Sequence, residues 1–394
     1  VSRALPPVFS VITAQRFGAG DYEGVKRSVA TSALLSLAAT VLLTAAGILT
    51  ARPLLEVMNT PADIIEDSYA YIIVIYYGVA ATAFYNLLSC IIRALGDSKT
   101  PLIFLVFASF LNVALDLLFI ITFHMGVGGA AWATVLSQGV SGLLCLGYAW
   151  RRFPLLRMEK RHWTFDWSYA WKHLRLALPM AMQFVITGTS VLVNQAVLNL
   201  FGSAAVAAFS AASKIHMLSE QVAVSFGTAM ATYAGQNYGA GKAGRVQEGL
   251  RKCALACEAI TLGIMVIMTA FGGVMSSWFI DGYHPEVIQQ AHLYLFISAL
   301  FYPALTMLFL YRNTLLGLGN GVTPMLAGVC ELLSRMIGAP VLGHFFGFTG
   351  LCWINPIAWV TASGLLFLSY RKTMRNIRPV DPTVDASDSN KIMN

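Results

Sequence analysis

The chain has little charge. Asp, Glu, Lys and Arg make up 11% of its 394 residues, against 57% apolar, where soluble domains run near ~25% charged and ~45–50% apolar. With a mean hydropathy of +0.66, a soluble globular protein is excluded and a polytopic membrane protein is required. Cysteine is sparse too. Cys90, Cys145, Cys253, Cys257, Cys330 and Cys352 form no CxxC pair, so they are read as small apolar packing residues rather than disulfides or metal ligands. Cys253 and Cys257 share a helix face but have no nearby histidine. The seven histidines are scattered, with no HExxH, and no Gly-Lys-Ser/Thr loop is present. These absences leave nothing to build a membrane enzyme, a zinc site or a nucleotide-driven pump. The net charge of +7 does not argue for nucleic acid, because the basic residues sit in short loops between apolar runs.

The apolar runs are long enough to span a bilayer, at about 20 residues each. Spans are expected near 29–50, 69–92, 101–123, 127–150, 174–200, 203–233, 254–276, 291–316, 322–344 and 347–370, with 1–14 as the tail of another. Loop charge alternates. Arg16, Lys26 and Arg27 fall in the first loop, acids dominate 51–68, Arg93 and Lys99 follow, and 151–175 is strongly basic. Lys242, Arg245, Arg251 and Lys252 mark the next basic loop, only acids lie in 277–290, and the tail opens with Arg371, Lys372, Arg375 and Arg378. Positive loops stay inside, so a cell-membrane (plasma or inner membrane) location with both ends cytoplasmic is expected. The segment His162–His173, rich in Trp and basic residues, suits an amphipathic helix on the membrane surface. The tail from Arg371 reads as polar and loose.

The sequence repeats itself. QRFGAGDYEGV at 15–25 matches QNYGAGKAGRV at 236–246, offset 221. LGDSKTP at 95–101 matches LGNGVTP at 318–324, offset 223. GVGGAAW at 126–132 matches GFTGLCW at 347–353, offset 221 again. Both copies of the first motif lie on the basic side, so the halves are parallel, related by an axis along the membrane normal. The expected organisation is an all-α polytopic protein of two six-helix lobes. Residues 1–150 form an N-terminal lobe, 151–173 a cytoplasmic linker, 174–370 a C-terminal lobe and 371–394 a cytoplasmic tail. The second half carries six spans and the first four and a remnant, so the repeat predicts about one and a half spans before Val1. The glycine clusters are read as tight turns rather than phosphate cradles.

Charged residues inside such spans are costly and mark pathways. In FLNVALDLLFI, Asn112 and Asp116 lie four apart on one helix face. Thr134 lies seven residues into the next span, and Asp116 seven before the end of its own. At ~1.5 Å per residue both sit about 10 Å below the outer surface. A carboxylate, an amide oxygen and a hydroxyl are hard ligands suited to Na⁺. Burial of the same carboxylate would also suit proton carriage. A purely structural pairing of Asp116 is the competing reading. At the repeat offsets Asn112 faces Arg335, Asp116 faces Ala339 and Thr134 faces Asn355, so the oxygen cluster is not reproduced in the second half. Glu331 and Arg335 form an intramembrane i, i+4 pair, read as structural or as a second proton site. Glu220 is a candidate for meeting a cationic substrate, or for pairing with Lys214 or Arg312. Arg93 and Arg312 are expected to snorkel to the cytoplasmic surface. Met180 and Met182, beside Pro179, are candidate cleft residues, and Pro179 and Pro303 are expected kink points.

QRFGAGDYEGVKR, IIRALGDSKTP, LNVALDLLFI, GVGGAAWAT, AGQNYGAGK and the ExxxR of Glu331 and Arg335 together resemble the multidrug and toxic compound extrusion (MATE) family, from end to end of the chain. The resemblance implies two six-helix lobes with a central cleft, and export of amphipathic, often cationic organic compounds in exchange for Na⁺ or H⁺. It implies a cation site drawn from Asn112, Asp116 and Thr134, with Asn86 as the match to a fourth-span Asn that approaches it. The first-span Asp of that site cannot be placed, because that span is expected to lie before Val1. NorM-like members carry a Glu in the seventh span. Here that span has no acid, and Gln183, a candidate substrate-cleft residue, sits near its place. No cofactor beyond the coupling ion, no metal beyond Na⁺ at Asp116, and a monomer in the lipid bilayer are expected. The alternative is a lipid-linked precursor flippase of the related superfamily, which would need deep basic residues that these spans mostly lack.

Overall fold

The computed structural model describes residues 5–377 except 59, 62, 281 and 283, with side chains from residue 7 onward. Packing divides the chain into two compact units, Val1–Ala177 and Leu178–Asn394. Among the described residues there is no strand.

The first unit contains α1 (Leu5–Gly18), α2 (Tyr22–Val57), α3 (Ile65–Tyr77), α4 (Val79–Ala94), α5 (Lys99–Leu117) and α6 (Gly126–Arg152). A π-helical turn, Leu118–Thr122, follows α5. Two short 3₁₀ turns, Pro154–Leu156 and Lys160–Trp163, lead to α7 (Trp167–Asn199). The second unit takes the rest of α7 and holds α8 (Gly202–Gly239), α9 (Ala243–Ser277), α10 (Pro285–Leu300), α11 (Tyr302–Gly317) and α12 (Val322–Asn376).

Six helices are long and apolar enough to cross a membrane alone: α2, α5 with its π turn, α6, α7, α9 and α12. Two bent pairs reach that length and apolarity together, α3 with α4 at 40° and α10 with α11 at 53°. α12 is two helices joined at Gly347, whose φ of 60° and ψ of −142° break the helical path. α8, 38 residues long, and the second part of α12 cover the remaining stretches where spans are expected, 203–233 and 347–370. Lipid-facing character is plain on α5, where only Pro101 and Ala108 are buried while Ile103, Phe107 and Phe110 are exposed.

The repeat is written into the backbone. Gly20 and Gly241, 221 apart, both have φ 71°. Gly96 and Gly319 have φ 97° and 87°, and Gly126 and Gly347 have 59° and 60°. These conformations cost an L side chain steric strain, so the turns need glycine. Loop caps repeat as well. Asp97 Oδ1 accepts from Thr100 N at 3.1 Å, and Asn320 Oδ1 from Thr323 N at 3.1 Å. The bends of the two broken spans, at Gly78 and Phe301, are also 223 apart. Pro303 stands in the first turn of α11, where proline is tolerated, and the bend precedes it.

Two expectations are corrected. Residues 162–173 do not form a separate surface helix. His162 ends up in a 3₁₀ turn, and residues 167–173 are the first turns of α7. Their buried side chains, Ala170 and His173, dock them to the helix ends of the first unit, so the helix starts there and continues into the span. The tail does not begin at Arg371, because α12 runs on to Asn376 with Met374 packed inward. Arg378 and the rest of that tail lie outside the described residues.

Candidate functional site

The first unit brings α5 and α6 together as antiparallel neighbours. Ser141 Oγ donates to Phe104 O at 2.8 Å, and one end further on, Asn112 Nδ2 reaches Thr134 Oγ1 at 3.5 Å. The two contacts set one register. Asn112, rather than Asp116, therefore stands opposite Thr134, and Asp116 lies one turn, about 6 Å, nearer the π turn. Thr134 Oγ1 donates to Ala130 O at 3.1 Å, which leaves one lone pair beyond the one that faces Asn112. Asp116 is half-buried, and its Oδ1 is enclosed with no hydrogen-bond partner. A buried acceptor left so costs about 1–3 kcal/mol.

The π turn begins two residues after Asp116. Phe123 N donates to Leu118 O at 3.1 Å, the i→i+5 pattern, and π turns concentrate at functional positions in helices. α6 closes on this turn through Gly129, where a Cβ would lie 3.0 Å from Phe119 Cβ. The second unit repeats the approach more tightly, with a Cβ at Gly350 falling 2.0 Å from Leu342 O.

Asn86 does not join the trio. Along α4 and α6, Gly78 meets Val135, Ala81 meets Gly139, and Phe84 and Tyr85 meet Gly142. Asn86 is thus level with the residues just past Gly142, about 12 Å along α6 from Thr134.

The second unit holds a buried charge network. Arg312, on α11, is 9% exposed and donates to Glu331 of α12, which is 8% exposed. Arg335 Nη2 approaches the other Glu331 oxygen at 3.7 Å. Turned to satisfy both of its ends, the Gln183 amide oxygen accepts from Arg312 Nη1 at 3.0 Å and Nε at 3.1 Å. Arg335 Nη1 donates to Ser190 Oγ at 2.8 Å and Nε to Asn355 Oδ1 at 3.2 Å, while Asn355 Nδ2 donates to Tyr294 OH at 3.0 Å. Arg312 therefore does not snorkel, and Glu331 pairs chiefly across helices rather than with its i+4 neighbour. The sequence could not show this, since Arg312 and Glu331 are joined only when α11 meets α12.

Glu220, on α8, has no ion pair among the described residues, contrary to the pairing considered. Lys214 instead stands over the Phe279 ring at 5.2 Å, and Arg312 is committed to Glu331. Glu220 borders a cavity of ≈ 10 Å³ shared with Ser219, Thr261, Tyr302 and Thr306, room for about one water. One turn earlier, His216 Nδ1 is hydrogen-bonded with Tyr302 OH at 2.9 Å and stacks on Trp359 at 5.4 Å. Met180 is buried and Met182 is exposed, so the two methionines do not share a surface. Glu258, half-buried in α9, is a carboxylate that sequence reading passed over. Its setting in LACEAITL carries the same signal as Asp116, an acid within an apolar run.

Bent and glycine-hinged apolar helices, with polar clusters buried at mid-helix, fit a membrane transport protein. The MatE family model matches residues 9–118 and 179–341. The probable multidrug resistance protein YpnP of Bacillus subtilis (strain 168) is 31% identical over 362 residues, covering 91% of this chain and 78% of YpnP. YoeA of the same organism, also named a probable multidrug resistance protein, is 25% identical over 92% of this chain and 80% of its own length. An outward-facing multidrug resistance MATE transporter of the MOP superfamily superposes with a TM-score of 0.90 at 22% identity, covering 96% of this chain and 85% of that one. The chain belongs to the MATE family.

Proposed function

We propose that this chain exports amphipathic, often cationic organic compounds across the cell membrane by alternating access, in exchange for Na⁺ or H⁺. The names of YpnP and YoeA support multidrug export. The coupling ion is assigned to Asp116, assisted by Asn112 on its own face and Thr134 on α6. The observation that carries this is the enclosed, unpartnered Asp116 Oδ1 beside the Asn112–Thr134 contact. Hard oxygens on two helices bind Na⁺, and the same carboxylate takes a proton when desolvation favours its neutral form. Ion binding favours the state that releases the organic compound, and binding of the compound favours loss of the ion, by linkage.

The flippase alternative is disfavoured because the guanidinium donors of Arg312 and Arg335 are engaged by Glu331, Gln183, Ser190 and Asn355. The test is ethidium efflux from vesicles of the full-length protein under separately imposed Na⁺ and pH gradients. Export is expected under one gradient and lost in Asp116→Asn at normal abundance. Ion-driven export that survives Asp116→Asn overturns the assignment, and no export under either gradient overturns the transport reading.

A further inference from the structure

Where α1 ends, α2 begins and α7 begins, three helix ends meet in the first unit. Thr13, Ser28 and His173 link them in a buried chain, Thr13 Oγ1 to Ser28 Oγ at 2.9 Å and Ser28 Oγ to His173 Nε2 at 3.1 Å. Tyr169 lies on the outer side of this junction, and its hydroxyl donates to Gly24 O at 3.1 Å. Cations from two of the helices stand over this one ring, and a third helix brings another beside it. Arg16 of α1 stands 6.0 Å from its centroid and Lys172 of α7 5.6 Å. Arg27 of α2 stands between Gly24, whose carbonyl the Tyr169 hydroxyl holds, and Ser28, which is bonded to His173.

The cluster is not neutralised. Arg16 pairs with Asp21 at 2.9 Å, and the Glu23 carboxylate nearby is taken by Lys26 at 2.8 Å and His162 at 2.9 Å. Among the described residues Lys172 and Arg27 have no carboxylate partner, and both are exposed. Beside them the same turns of α7 present Trp167, 63% exposed, and Trp171, 50% exposed, with ring centroids 6.4 Å apart. Unpaired cations against exposed indoles match the boundary between headgroups and acyl chains, where indole rings settle and Lys and Arg meet phosphate.

We propose that Arg27 and Lys172, ordered around Tyr169, bind the phosphate of an anionic phospholipid, with Trp167 and Trp171 against its acyl chains. The site rests on reading the basic loops as the headgroup side of the first unit. It does not depend on which compound the protein exports. Its occupant would brace the three helix ends that meet at the Thr13–Ser28–His173 chain.

The test uses the full-length protein in mixed micelles, with tryptophan quenching by dibrominated phosphatidylglycerol or dibrominated phosphatidylcholine. Phosphatidylglycerol is expected to bind preferentially, and the preference to fall about fivefold for each cation removed in Arg27→Gln and Lys172→Gln. Lys172→Arg keeps the charge and is expected to keep the preference. Trp171→Phe is expected to lower the quenched fraction without changing the affinity ratio. Equal affinity for the two lipids overturns the proposal, as does an unchanged ratio in both Gln variants. Displacement of the lipid by millimolar inorganic phosphate overturns the lipid as the source of the anion. Because the readout is binding, it stands or falls apart from any measurement of export.

Discussion

Replacing Glu331 with Gln removes the one carboxylate that two buried guanidiniums share. Arg312 keeps the Gln183 oxygen and Arg335 keeps Ser190 and Asn355, but neither keeps a counter-charge. Breaking a buried pair by taking one partner costs about 3–5 kcal/mol. For a unit of this size each kcal/mol moves the midpoint by about 2–4 °C, so Glu331→Gln should lower thermal unfolding of the full-length protein in micelles by roughly 6–20 °C. Arg312→Gln should cost nearly as much, since it strands Glu331 with Arg335 at 3.7 Å and leaves the Gln183 oxygen without its donors. Arg335→Gln should cost less, because its direct hydrogen bonds run to neutral groups. Intrinsic tryptophan fluorescence against temperature reads all three. A Glu331→Gln midpoint within about 2 °C of wild type refutes the reasoning. So does an Arg335→Gln loss equal to that of Arg312→Gln, which would make the i, i+4 pair the principal one after all.

Three further outcomes follow from the geometry. Gly350→Ala puts a methyl 2.0 Å from Leu342 O and should abolish monodisperse protein on size-exclusion chromatography, whereas Gly129→Ala, at 3.0 Å from a side-chain atom, should leave reduced but folded material. Asn112→Ala removes the contact to Thr134 and should weaken coupling about tenfold, while Asn86→Ala, about 12 Å away along the helix, should leave ion-driven ethidium efflux near wild type. At Asp97, partial burial raises the carboxyl, but hydrogen bonds from Tyr148, Thr100 and the Thr100 and Lys99 backbone carry it below its ordinary value. A depressed folded value gives stability that is present above the unfolded pKa and lost as pH falls through the folded one. Asp97→Asn should therefore cost a little stability at pH 7, under about 1 kcal/mol for so exposed a group. Its midpoint should converge with wild type below about pH 4, and a constant gap down to pH 2 would contradict the linkage.

The crossings and turns were legible because each leaves a local mark. Apolar runs of bilayer length predict helices, and three glycine motifs at near-constant spacing predicted turns that the backbone repeats within about 10° at each pair. The fold is that of MATE transporters. What stayed hidden depends on register. Counting residues from the outer turn put Asp116 and Thr134 at one depth, but the count assumes α-helical rise and the π turn takes more residues per turn, so Asn112 faces Thr134 instead. Asn86 was carried over by resemblance alone and had no register of its own. Arg312 looked like a cation near a helix end, since its partners Glu331 and Gln183 lie 19 residues later and on another helix. Glu258 was legible in LACEAITL and was passed over.

The π turn also sets the two halves apart. Between Phe119 and Gly126 the first half spends two more residues than the second does between Leu342 and Gly347, which is why the spacing of the repeat drops from 223 to 221 across this stretch. Those residues lie in the stretch that holds Leu118–Thr122 and the turn where His124 takes a φ of 52°. An insertion into a duplicated helix rotates everything on one side of it relative to the other. The half with the two additional residues is the half that carries Asp116, and the other runs as one helix up to Gly347. The carboxylate and the π turn thus occur together in one copy, and the other has Ala339 on an unbroken helix in their place.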